Sequence, residues 1–150
     1  MDLQQLLDSK KNDIIAGARS ALARAHVSGY ERAGDEETSR RLSSLYDLAT
    51  RAVRDRNLAP MVAYAGGIAK ERFEAGIDLA EVQTAFNVLE ETIWLRVMKD
   101  LDPARQAEAL GMVATVLGAG KDALARTYVS LATKVKAPSL NLQSLFTGAS

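Results

Sequence analysis

Apolar residues recur every three or four positions through nearly the whole chain, and no stretch alternates apolar and polar as a half-buried strand would. That period restricts the chain to helices with one buried face each. With 150 residues and no cysteine, those faces must be buried against one another, which gives a single all-α domain of about five helices.

Helix boundaries follow from the punctuation. A first helix is expected over 3–25, with Leu3, Leu7, Ile14, Ala18 and Leu22 as its buried stripe and Lys10 and Lys11 turned outward. The segment 26–35, HVSGYERAGD, carries two glycines and reads as a loop. A second helix over 36–56 buries Leu42, Leu45, Ala49 and Val53, with acids at its start and arginines at its end to suit the dipole. The third, over 58–75, has Pro60 in its first turn, and its Gly66–Gly67 pair is read as the close approach of another helix, with a kink lining a pocket as the alternative.

The junction at 76–82 is the sharpest local signal. Gly76 suits the left-handed residue that closes a helix, and Asp78 stands where it can cap the next one. Glu81 is spaced to complete a capping box, and Ile77 with Val82 a hydrophobic staple. The fourth helix, over 79–99, buries Val82, Phe86, Leu89, Ile93 and Val97. Trp94, Met98 and Leu101 form a second stripe beside these, so this helix needs cover on two sides, from its own bundle or from a dimer partner. Asp102 and Pro103 open a fifth helix over 104–134, whose apolar seam runs from Leu110 through Leu117, Leu124 and Tyr128 to Val135. The domain is drawn at 1–137. Residues 138–150 form a tail whose Leu140, Leu142, Leu145 and Phe146 either dock back or mark the attachment of a further domain.

Little in this chain looks like chemistry. Nineteen basic and nineteen acidic residues cancel, so no long-range field favours nucleic acid or anionic lipid. The absence of cysteine removes disulfides, thiol catalysis and thiolate metal sites together. No apolar run is long enough to span a bilayer, and the polar amino terminus is no secretory signal; a cytoplasmic location is the default. Gly118-Ala119-Gly120-Lys121-Asp122 imitates nucleotide motifs. A phosphate loop needs glycine at Thr115 and Ser or Thr at Asp122, and a dinucleotide site needs an acid further on, where none stands. These are read as small residues packing closely. His26, the single histidine, has no metal-motif or relay partner, and serves a haem only if its helix end faces a pocket. No catalytic, metal or cofactor residue is assigned.

The remaining candidates belong to a pocket or a dimer interface. Tyr64, Phe86, Trp94 and Tyr128 are spaced to line a small-molecule cavity, though aromatics at helical spacing serve first as core. Glu90 shares a stripe with Phe86 and Trp94, and needs a cation such as an arginine if buried. Trp94 and Leu124 are the residues placed at a dimer contact.

At Arg72-Phe73-Glu74-Ala75-Gly76-Ile77-Asp78-Leu79-Ala80-Glu81-Val82, followed by an apolar helix ending Ile93-Trp94, the chain resembles the amino-terminal domain of the RsbR family, the RsbT co-antagonists of stressosomes. The same domain precedes some sensor histidine kinases. The helix order agrees over about residues 3–135. The resemblance implies a globin-like helical bundle without haem that dimerises through its helices and relays a signal to a STAS or kinase partner. Members often carry a tryptophan in the first helix, where this chain has IIAGARSALA, and an arginine near Glu90. The sequence stops at Ser150 before any STAS or kinase domain, so it is either a stand-alone version or an excised piece. The expected function is a non-enzymatic, dimeric regulatory domain. The alternative is a helical module holding an apolar ligand or a tetrapyrrole.

Overall fold

A computed structural model describes residues 1–136, and among these residues it is helical with no strand. Six helices follow in order: α1 Leu3–Ser9, α2 Lys11–Ala25, α3 Ser28–Asp55, α4 Ala59–Glu74, α5 Leu79–Asp100 and α6 Pro103–Lys136. At 34 residues α6 is the longest, about 50 Å at 1.5 Å per residue. It lies along α4 and α5 together, while α2 packs on α3 and α5. The expected stripes are the core. Val82, Phe86, Leu89, Ile93 and Val97 of α5 are all buried, as are Leu42, Leu45, Ala49 and Val53 of α3. Each of these side chains other than Ala49 contributes roughly 1.5–3 kcal/mol of transfer free energy.

Among the described glycines, the one with least room for a Cβ is Gly120. A Cβ built there would stand 2.6 Å from the Phe86 ring and 3.1 Å from Met61 Sδ. Glycine lets α6 press onto α4 and α5 simultaneously, so the motif that imitates a nucleotide loop is a packing notch. The Gly66–Gly67 pair does not have that role. A Cβ at Gly66 would meet only Thr127 Oγ1 at 3.7 Å, and at Gly67 nothing within 4 Å.

The α4 stop is built as its sequence predicts. Gly76 has φ 76°, its N–H donates to the Phe73 carbonyl and that of Ile77 to the Arg72 carbonyl, each at 3.0 Å. This pair of bonds is the Schellman closure. Asp78 then sits at the N-cap of α5 in extended geometry, but its side chain caps nothing, which corrects the expected capping box. The chain's capping box is instead at the amino terminus. The Gln5 N–H donates to Asp2 Oδ1 and the Asp2 N–H to Gln5 Oε1, both at 2.8 Å. The Asp2–Gln5 spacing is the signal for it.

Two more boundaries differ from the sequence reading. The expected first helix is broken at Lys10, whose φ of −113° and ψ of 14° separate α1 from α2. The Leu7 carbonyl, the acceptor an unbroken helix would offer to the Lys11 N–H, receives the buried Tyr46 hydroxyl at 2.6 Å. Lys11 in turn pairs with Asp47 of α3 at 2.8 Å rather than standing free. Much of the expected loop 26–35 is helical. His26 takes the left-handed conformation that ends α2, and Tyr30 and Glu31 N–H groups donate to the Val27 carbonyl to start α3 at once. Only Gly34, with φ 84° and ψ 168°, departs from helical geometry inside α3 and kinks it. The expected tail and the domain limit at 137 lie outside the described residues.

Gly120→Ala adds a methyl into this crossing, and we expect it to destabilise the fold by about 1–3 kcal/mol despite alanine's better helix propensity. Gly67→Ala, with open space around it, is expected to stabilise by up to about 1 kcal/mol. Urea denaturation of the two variants measures both signs.

Candidate functional site

The six residues singled out in the sequence do not converge on one spot. Phe86 and Leu124 are fully buried core residues within a single chain. A charged substitution at Leu124 therefore reports on folding and cannot serve as a probe of association. Tyr128 is also buried, but it makes two specific contacts. Its hydroxyl donates to the Ile77 carbonyl at 2.8 Å, and Phe73 meets its ring edge-on at 5.6 Å. Tyr128 thereby pins the α4–α5 turn to α6. Burial holds its phenol pKa above the usual value, so it stays a donor at neutral pH.

Glu90 is largely enclosed between α5 and α6 and pairs with Lys121 Nζ at 3.3 Å; Asn87 Oδ1 accepts from the same ammonium at 3.0 Å. The cation it requires is thus a lysine from α6. The acid serves as a strut between two helices and has no second carboxylate beside it for acid–base work.

Trp94 lies on the outside, 40% exposed. Leu95 and Met98 are 66% and 54% exposed, and the i, i+1, i+4 spacing puts the three on one face of α5. This outward apolar face is the second stripe seen in the sequence, and no element of the described residues covers it. Leu101, the stripe's last member, turns inward and is buried. Leu95 escapes a reading by period because, about 100° further round the helix than Trp94, it lies beyond both stripes.

Tyr64 lies elsewhere again, half-buried in a narrow slot with Tyr30, Arg41, Arg72 and Phe86. Arg72 is the residue here that sequence does not announce, since a basic residue one turn before a helix stop usually lies in solvent. Its side chain is only 10% exposed. At the slot's edge Glu37 accepts hydrogen bonds from both Arg40 and Arg41. The Arg40 hydrogen bond, followed by the charges of the two guanidiniums, draws the Glu37 carboxyl down to about 2.

His26 projects into solvent, 82% exposed, with Nδ1 3.1 Å from Glu31 Oε1. That placement does not suit an axial ligand inside a bundle. Neither Gly66 nor Trp94 lines the four main clefts among the described residues, and no group of three or more metal-ligating side chains occurs among those residues. No described helix is long and apolar enough to cross a membrane.

Fold and surface together define a helical domain that offers an apolar helix face on α5. The profile described as the RsbT co-antagonist protein rsbRD N-terminal domain matches residues 13–134, and the chain belongs to that family. Searches of curated proteins and of solved structures returned no match.

Tyr128→Phe removes one buried hydrogen bond and leaves the Ile77 carbonyl unpaired, and is expected to cost about 1–2 kcal/mol in urea denaturation with helicity unchanged. For Glu37, the folded value lies below the unfolded one. Its contribution to stability is therefore present above the ordinary carboxylate range and lost as pH falls through about 2. A carboxyl-carbon NMR titration should place its midpoint there, and an ordinary midpoint would show that the arginine pairs do not persist in solution.

Proposed function

We propose that this chain is a non-enzymatic regulatory domain that dimerises through the exposed face of α5 and passes a change of state along α6 to a protein partner. The observation that carries the reading is the Trp94, Leu95 and Met98 face, left uncovered on the helix whose other side forms the core. A large aromatic beside two aliphatics is the composition of an interface centre, where desolvation concentrates binding energy. Family membership supports the same reading, since co-antagonists act on another protein. In this reading the bundle takes the family's globin-like arrangement without haem, works in the cytoplasm, and meets a partner of STAS or kinase type.

The relay follows from packing. Any contact that shifts α5 is transmitted to α6 at the Gly120 crossing and at the Glu90–Lys121 strut, because both lie on the α5–α6 seam. Small shifts of packed helices are a known mode of switching. The long α6 then carries the displacement toward its carboxyl end.

Sedimentation velocity tests the dimer. The 150-residue chain should sediment as a dimer at micromolar concentration, and Trp94→Glu combined with Met98→Glu should give a monomer with an unchanged helical spectrum. A wild-type monomer at every concentration, or a double variant that remains dimeric, sinks this assignment.

A further inference from the structure

The start of α3 is a short limb bounded on both sides by breaks in helical geometry. Residues 27–33 lie between His26, with φ 52°, and Gly34, with φ 84°. The limb therefore continues neither α2 nor the rest of α3. Its six helical residues are too few to be stable through their own hydrogen bonds. Val27 at its N-cap offers no side-chain acceptor to the free N–H groups of the first turn. The position of the limb is thus set by what it touches.

Those contacts are few. Val27 is buried, Tyr30 and Ala33 are half-buried, and Glu31 and Arg32 face solvent. Gly29 rests on the start of α5, where a Cβ would stand 3.0 Å from Glu81 Oε2 and 4.0 Å from Ile77 Cδ1. Across the kink, Thr38 Oγ1 donates to the Tyr30 carbonyl at 3.3 Å, longer than an ordinary hydroxyl bond. The main anchor is the Tyr30 side chain, which enters the slot with Leu42, Tyr64, Arg72, Ala85 and Phe86. Arg41 lies over its ring, 5.8 Å from the centroid. The slot is not filled, and keeps a void of about 20 Å³. Tyr46 and Tyr128 fasten their helices by donating to the Leu7 and Ile77 carbonyls. Tyr30 has no such bond from its hydroxyl among the described residues, and holds by its ring.

We propose that residues 27–33 form a hinged strap with Tyr30 as its removable plug. The strap swings out about His26 and Gly34 and opens the slot beside Phe86 while the rest of the bundle stays folded. Glycine takes up a new φ and ψ without steric cost. His26 is exposed, and its ion-pair partner Glu31 belongs to the strap itself. Segments with few buried contacts open at lower cost than the whole fold. Phe86 lines the slot and also packs at Gly120, so removal of the plug takes away a neighbour of the ring on which α6 rests. The device is independent of the dimer reading, because none of its residues lies on the exposed α5 face.

The chain has no cysteine, so a single thiol can report the opening. Ala85→Cys adds one atom to the slot, and Ala69→Cys places the same thiol in the core of α4 away from it. Each full-length variant is labelled with methyl methanethiosulfonate at a series of low urea concentrations. Ala85→Cys should react at least about tenfold faster than Ala69→Cys, at a rate nearly independent of urea. Adding Tyr30→Ala to both should raise that ratio further. Leu45→Cys replaces Ala85→Cys, and Tyr30→Leu replaces Tyr30→Ala, if either first choice loses its helical circular dichroism. Equal rates with the same urea dependence would overturn the proposal, since the slot would then open only with the whole fold. A ratio that does not change on removal of the Tyr30 ring would equally overturn it, since something other than Tyr30 would be closing the slot.

Discussion

The crossing at Gly120 is the constraint from which the rest of the bundle follows. Three helices meet there, and the missing Cβ lets the Phe86 ring and Met61 fill the space between α6 and its two neighbours. α6 packs extensively on both α4 and α5, and at this notch it approaches both at once. The turn between them must then be tight. Gly76 supplies the turn, and Tyr128 fastens it back onto α6 through the Ile77 carbonyl. A larger residue at position 120 would push α6 off one partner, and the Glu90–Lys121 strut beside it would lengthen.

The features legible in the sequence are those that depend on local chemistry or on period. The Gly76 stop, Pro60 in the first turn of α4 and Pro103 at the start of α6 are consequences of backbone sterics, which need no tertiary information. The buried stripes follow from the helical period, and they agree with the core almost residue for residue. The illegible features depend on contacts distant in sequence. The break at Lys10 has no glycine or proline to announce it; the Leu7 carbonyl that it frees is taken by Tyr46, 39 residues away in sequence. The helical start of α3 is hidden by glycines that weaken local propensity but are overruled by packing, with Tyr30 set in the slot against α4. Asp78 fails differently. Its residue type and position are right for a cap, yet the bond is not made, since spacing permits a capping interaction without requiring it.

The candidate sites are the least legible, for the same physical reason. A stripe of Phe86, Trp94 and Leu124 reads as one apolar set, and only the fold separates the two that face inward from the one that faces out. The need of Glu90 for a cation can be read from its stripe, but period on one helix cannot say which residue of another will meet it. Arg72 carries no warning at all, because nothing in its neighbours distinguishes a buried arginine from a solvated one.

Arg72 and Trp94 invert what packing alone would choose. A guanidinium is enclosed where an apolar chain of similar volume would cost less, and the single tryptophan is left partly in water while smaller residues fill the core. Local rules hold through most of this chain, so violations of them are informative where they occur. The Arg72 slot borders the Gly120 crossing through Phe86, whereas the Trp94 face lies on the outside of α5. Arg72 stands in its slot with Arg41, Tyr30 and Tyr64 and pairs with the exposed Glu71; Trp94 belongs to an apolar face that no described element covers. Neither feature adds to the packing of the core, so stability must come from elsewhere. Here it comes from the α4–α5–α6 seam.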